Sequence, residues 1–342
     1  MKNYGIFGLF LKKSSFISHR GEIKNCLKRD IGKEAGVIVH LRGSNCINES
    51  LELGRSYYQR DVDIMNCFFS RVSKLTGSGG VVCVEGGAFN MFVAYTMFYN
   101  CISTSLGGAI SFNSLNSKLR MICANKCYSE RGLFVNSYSN NDNNAEFISI
   151  SHCVNSNTGN YPIRLEKGNQ VVNNINCSRN SVLYCSSLGF ISPLMLKCTF
   201  CTITYNLASG TFSTYIHNCS GNLFSMNFVR NNSPGGYGVI GTKLGFPRIH
   251  FSIFIMNENV LFHTETGSLD ISHCFIYHIG LTSTGFNNSF IFSQTYLIDH
   301  FSSYFCYAEK AYFDRNNPHS LIEPPKRGVV FHLTLIFLCL YS

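Results

Sequence analysis

The sequence predicts an all-β protein, a parallel β-helix of about ten coils, and three observations carry that prediction. Two Gly-Gly-Ala units begin at Gly86 and Gly107, and the cysteines repeat the same step from Cys46 to Cys67, Cys177 to Cys198 and Cys198 to Cys219. An apolar residue stands three positions before a cysteine in Ile64/Cys67, Phe98/Cys101, Ile150/Cys153, Met195/Cys198, Ile216/Cys219 and Ile271/Cys274. The residue just before a cysteine is Asn45, Asn66, Asn100, Asn176 or Asn218, or else His152 or His273, and both types are enriched at positive φ.

Each element follows from that pattern. A spacing of three fits neither an unbroken strand nor, without a partner at seven, a sustained helix. One left-handed residue before the cysteine bends the strand and returns the cysteine to the side of the preceding apolar residue. The unit is therefore a strand, a one-residue bend, a second strand and a loop. One such unit buries little, whereas stacking sets equivalent residues ~4.7–4.9 Å apart and joins their apolar sides into a core. At ~24 residues per coil, residues 61–310 form the solenoid, a rod roughly 45–50 Å long. Prolines are sparse there, at Pro162, Pro193, Pro234 and Pro247, as a ladder paired on both edges requires.

Composition agrees. Charged residues are 14% of the chain, against roughly 25% in an average soluble domain, and 35 asparagines supply the polarity and the turns. The net charge of +9 is concentrated at the start, where residues 1–60 hold eleven Lys and Arg against five Asp and Glu. This segment reads as a basic arm with a possible cap. The nearly neutral body argues against nucleic acid as a partner. Five sequons, at Asn48, Asn176, Asn218, Asn231 and Asn287, would be acceptors in a secreted chain, and the cysteine context discounts Asn176 and Asn218. Residues 311–327 read as a linker. The apolar run 328–342 is shorter than the ~20 residues that span a bilayer and reads as a truncated membrane anchor or an interfacial tail. Eight apolar residues before Lys12 are short for a signal peptide. The expected location is the cell surface or a membrane, with the cytoplasm as the alternative.

The units "GGAF" and "GGAI", with Phe-x-x-Asn at Phe224/Asn227, Phe228/Asn231 and Phe254/Asn257, resemble the repeats of polymorphic outer-membrane-type β-helix proteins. The Cys- and Asn-rich coils with an apolar tail are similar to expanded sets of β-helix proteins in parasitic protists. The resemblance covers residues of about 60 to 310. It implies a right-handed parallel β-helix, often surface-exposed and proposed in adhesion, and it carries over no catalytic residue.

Catalysis by a β-helix on polysaccharide needs clustered carboxylates, as acid and base or as calcium ligands. The acidic residues between 84 and 300 are scattered, and the one candidate for stacking is Asp142 with Glu166, Asp142 lying in "SNNDNNAE", which reads as a protruding loop. Asp61 and Asp63 read as a surface pair on the opening coil. His152-Cys153 and His273-Cys274 read as bend and core, not as a nucleophile pair. Cys198/Cys201 and Cys123/Cys127 have spacings found in zinc sites without a second pair at a partnered distance. The glycines of 77–87 lack the Lys-Ser/Thr ending of a phosphate loop. No catalytic, cofactor or metal residue is therefore assigned. The expected function is a non-enzymatic scaffold for interaction or adhesion, with a glycan or a surface protein as partner. A carbohydrate-active enzyme and a truncated repeat copy without an independent role are the alternatives.

Overall fold

The computed structural model describes residues 61–279 apart from 87, 88 and 156, together with strand backbone at 39–42, 45–47, 56–58, 283–284 and 289–294. The expectations for most of the 1–60 arm, for Asn48 and Asn287, for the linker 311–327 and for the tail 328–342 lie outside the described residues.

Among the described residues every element is a strand and every ladder is parallel, and the chain winds a β-solenoid of about eight turns, close to the ten expected. One ladder runs the length of the body through Ile64, Val93, Leu119, Ala145, Val172, Cys198, Leu223, Ile249 and Ile271, each opposite the next. All nine are buried, and they form one wall of a core enclosed by three sheet faces. Side chains that bond across neighbouring coils, such as Ser117 to Asn143 and Asn180 to Asn206, are 26 residues apart. The coil is thus longer than the step from Gly86 to Gly107, and that step is not its period. Gly107 sits on Gly79, and not on Gly86, whose N–H bonds instead to the carbonyl of Asn113. A Cβ on Gly107 would lie 1.8 Å from the carbonyl oxygen of Ile110, and φ is +62°, so this corner admits only glycine.

The bend expected before cysteine is real, but each coil has more than one. A first corner follows the first face at Asn66, Tyr95, Met121, Phe147, Asn174, Phe200, Ser225, Phe251 and His273, all at φ between 50° and 58°. A second follows the second face at Arg71, Asn100, Lys126, His152, Arg179, Tyr205, Arg230 and Met256, again all left-handed. A third appears in the later coils at Lys167, Ser192, Asn218 and Leu244. Left-handed backbone costs a residue with a Cβ about 1–2 kcal/mol. Stacking offsets it, because the N–H groups of the second corner from Arg71 to Arg230 still donate to the next coil, as Lys126 does to Ser151 at 3.1 Å and Arg179 to Thr204 at 3.1 Å. That is why Tyr, Phe, Arg and Lys occupy positions where the sequence reading looks for Asn and His. The shorter step in the sequence arose from mixing places on the coil: Cys177 lies on the second face, Cys198 on the first face of the next coil and Cys219 just past its third corner. Asn176 is no bend; it lies inside the strand Asn169–Ser178, and Asn45 pairs with Phe68 in a ladder.

Just inside the second corner, one position is filled in turn by Cys101, Cys127, Cys153, Asn180, Asn206, Asn231 and Asn257, all buried. Three residues before that position lie Phe98, Ala124, Ile150, Cys177, Ile203, Phe228 and Phe254, stacked in register. Phe98/Cys101 and Ile150/Cys153 are therefore the same slot as Phe228/Asn231 and Phe254/Asn257 with another filling, whereas Ile64/Cys67, Ile216/Cys219 and Ile271/Cys274 lie at other corners. Phe228 and Phe254 stack at 5.0 Å and 3° between ring planes, and their Asn231 and Asn257 stack beneath them. The unit Phe224/Asn227 differs, since Phe224 is exposed on the outside.

Candidate ligand-binding face

The third face carries the strands Ile163–Glu166, Leu188–Ile191, Phe212–Cys219, Gly238–Gly245 and Phe262–Thr264 side by side. Strand alternation sends Leu165, Phe190, Ile216, Thr242 and Thr264 inward. The outward row reads Arg164, Gly189, Tyr215, Gly241, His263, with a ring on every second rung after Arg164 and a glycine between. The glycines make room for rings laid flat on the sheet. A Cβ at Gly189 would meet Tyr161 Cδ1 at 2.2 Å, and one at Gly241 would meet Phe212 Cδ1 at 1.9 Å.

The rings form one cluster. Phe212 is buried and stacks on Tyr215 at 5.0 Å and 9°, while Tyr237 meets Phe212 at 5.5 Å and His263 at 5.3 Å, both edge-on. His217 lies 6.0 Å from Tyr215. Tyr237 is 40% exposed, and Tyr215, His217 and His263 are half-buried, so the cluster presents a shallow aromatic surface on a fixed floor. Ion pairs flank it, Arg164 Nη2 to Glu166 Oε2 and Lys243 Nζ to Glu265 Oε2, both at 2.6 Å. Burial, then the Lys243 charge, holds the His217 imidazole below its ordinary pKa; burial does the same at His263, against Glu265. Burial raises the Tyr215 phenol, with Glu265 adding to it, so at neutral pH the ring stays an uncharged donor. Flat rings with hydrogen-bonding tips and a charged rim suit the apolar face and hydroxyl edge of a sugar.

The carboxylates singled out in the sequence do not meet. Asp142 is not in a protruding loop but inside the strand Val135–Ser151, where it accepts from Asn169 Nδ2 at 3.1 Å. Glu166 is paired with Arg164 on the third face, so the two do not stack. Asp61 Oδ1 accepts from Asn90 N and Nδ2 at 2.7 and 3.2 Å, and Asn90 Oδ1 accepts from Asn116, so Asp61 ends a ladder of surface amides; Asp63 lies in Val62–Met65. His152 and His273 occupy corners, with Cys153 and Cys274 turned inward. Cys198 and Cys201 approach to 3.7 Å in the core, where Cys198 also contacts Met226 Sδ at 3.7 Å. Cys123 pairs with Met97 and Ser149 in the ladder, whereas Cys127 lies beyond the second corner. Among the described residues no three His, Cys, Asp or Glu converge on one point. Of the sequons, Asn176 and Asn231 are buried, while Asn218, discounted in the sequence, is exposed at the third corner.

Sequence reasoning missed this cluster. The signal was present, since Gly189, Tyr215 and Gly241 recur at the true coil length, but the shorter step from Gly86 to Gly107 hides it. No protein-family model, curated protein or solved structure matches the chain.

Proposed function

We propose that the chain is a non-enzymatic β-solenoid scaffold for interaction or adhesion, and that the aromatic surface around Tyr215 binds a glycan. The single observation that carries this reading is the alternation of glycine and aromatic rungs, which fixes Phe212 as a floor and leaves Tyr215 and Tyr237 open beside a charged rim. A second consideration supports a binding role over hydrolysis. Glu166 and Glu265 are four rungs apart on this face, roughly 19 Å at the rung spacing. Glycoside hydrolysis places its two carboxyl groups about 5–9.5 Å apart. Each carboxylate is moreover held by a cation.

Display at a cell surface or on a membrane belongs to the same proposal and rests on the apolar run 328–342. Among the described residues no helix is long and apolar enough to cross a membrane. Protease protection of a tagged full-length chain tests the location: accessibility on intact cells is expected, and full protection would contradict it. The binding claim is tested on a glycan array with the native chain and with Tyr215→Ala/Tyr237→Ala. Binding by the native chain and at least tenfold weaker binding by the variant are expected. No bound glycan, or release of cleaved sugar from any polysaccharide, would overturn the reading.

A further inference from the structure

The second corner carries a feature that the glycan platform does not use. Its outward residues, in coil order, are Arg71, Asn100, Lys126, His152, Arg179, Tyr205, Arg230 and Met256. The four cations fall on alternate rungs without exception. The rungs are truly consecutive, because each corner N–H donates to the residue just before the next corner: Arg71 to Tyr99, Asn100 to Asn125, Lys126 to Ser151, His152 to Ser178, Arg179 to Thr204, Tyr205 to Val229. Arg71, Lys126, Arg179 and Arg230 are all exposed. Two rungs are roughly 9.4–9.8 Å, so the row places four positive charges on a straight line of roughly 28–29 Å.

Two of the cations are braced toward solvent by a tyrosine. Arg230 donates to Tyr205 Oη at 2.6 Å with its guanidinium 5.5 Å from the ring centroid, and Lys126 lies 5.5 Å above the Tyr99 ring. Such bracing limits the rotamers of long cationic side chains and keeps the charges in register. Other cations lie on the flat faces, Arg120 and Arg248 on the first beside Glu146 and Asp270, Arg164 and Lys243 on the third beside Glu166 and Glu265. Glu258, two residues beyond Met256, stands at one end of the row and accepts from Asn232.

We infer that this row binds a linear polysaccharide carrying one carboxylate or sulfate per disaccharide. A rigid line of charges recognises a polymer whose charges recur at the same interval, and a disaccharide repeat is of the order of two rungs. Duplex DNA presents on each strand a phosphate about every 3.4 Å of helix axis, close to three for each cation here, which leaves most of its charge unmatched. A lipid surface attracts basic clusters spread over a patch, not a single line one residue wide.

The test uses the native chain with three probes: hyaluronan oligosaccharides, the same oligosaccharides with their carboxyl groups reduced, and a double-stranded oligodeoxynucleotide, each at low and physiological salt. Hyaluronan is expected to bind, more weakly at higher salt, with the reduced probe and the oligonucleotide at least tenfold weaker. Arg179→Gln should weaken hyaluronan binding three- to tenfold, while Arg248→Gln, which removes the same charge from the first face, should not. A register variant, His152→Arg/Arg179→Gln, keeps the number of arginines in the row but moves one cation by a rung, and it should bind as weakly as Arg179→Gln alone. Thermal melting confirms that each variant is folded. Equal binding of the reduced probe, preference for the oligonucleotide, no binding of hyaluronan, or full recovery in the register variant would each overturn the inference. The Tyr215→Ala/Tyr237→Ala chain should bind hyaluronan normally, so this surface and the platform fail or stand separately.

Discussion

Asn206 and Asn231, on neighbouring coils, meet on one oxygen: the backbone N and the Nδ2 of Asn206 both donate to Asn231 Oδ1 at 3.1 Å. Asn180 makes the same pair of bonds to Asn206 at 3.0 Å, and Asn231 to Asn257 at 2.9 and 3.0 Å. The Nδ2 groups of Asn206, Asn231 and Asn257 also donate to backbone carbonyls of the preceding turn, at Cys177, Ile203 and Phe228, each at 2.8 Å. The ladder thus satisfies main-chain groups that the sharp second corner would leave without partners in the core. Replacing Asn206 by Leu, of similar size, strands the N–H of Asn180 and the carbonyl of Cys177. A loss of about 1–3 kcal/mol per stranded group is expected by urea denaturation. An unchanged midpoint would show that the ladder adds nothing to stability.

Gly241 supports the platform through Phe212, whose ring occupies the space a Cβ would need. Gly241→Ala should displace that ring, weaken glycan binding by tenfold or more and lower the melting temperature. Alanine at Gly77, where nothing lies within 4 Å of a Cβ but φ is +88°, strains the backbone alone and should leave binding intact. Equal binding by Gly241→Ala and the native chain would remove the floor from the account.

Acid should weaken the third face. His217 and His263 have folded pKa values below the ordinary value of about 6.5, so the unfolded chain binds more protons than the folded one between the two. The stability this represents is complete above about pH 6.5 and is lost as pH falls through the folded values. Melting temperature should therefore drop between pH 7 and pH 5, and His217→Gln/His263→Gln should flatten the slope. A profile as steep in the double variant would place the acid sensitivity elsewhere.

Eleven free cysteines are buried in the body. Burial pushes the Cys219 thiol up to about 12 and Cys274 up to about 11, and it raises Cys101 and Cys153 well above the ordinary value. Thiolate is the reactive form and must also be reached, so these four thiols should react with a thiol reagent at pH 8 only as fast as the chain opens. Rapid labelling of Cys153 in the folded chain, located by peptide mass, would contradict the packed core.

The strand-and-bend unit was legible because an apolar residue three before a cysteine reports a corner in five of the six pairs, Met195/Cys198 being the exception, since both lie in the unbroken strand Met195–Thr199. The coil length was not, since the same signature marks three different corners: Asn66-Cys67, Asn100-Cys101 and Asn218-Cys219 look alike in sequence and occupy different edges of the solenoid. Most corner residues were illegible for another reason. Phe200, Tyr205 and Arg230 are left-handed only because the coils on either side hold their hydrogen bonds, a tertiary effect that residue preference does not report. Without the right period, neither Gly189, Tyr215 and Gly241 nor the alternating cations of the second corner line up.

Both proposed surfaces stand on the register of the longer coil, and one cross-link tests it. Ser181 and Leu207 are opposed in a parallel ladder on the outside of the body. Neighbouring strands place such Cα atoms ~4.7–4.9 Å apart, within the roughly 4.4–6.8 Å a disulfide tolerates. The variant Ser181→Cys/Leu207→Cys should form an internal disulfide on mild oxidation, found by mass spectrometry, whereas Ser181→Cys/Thr202→Cys, spaced as Gly86 is from Gly107, should not. A disulfide in the second variant and none in the first would contradict the register, and with it both surfaces.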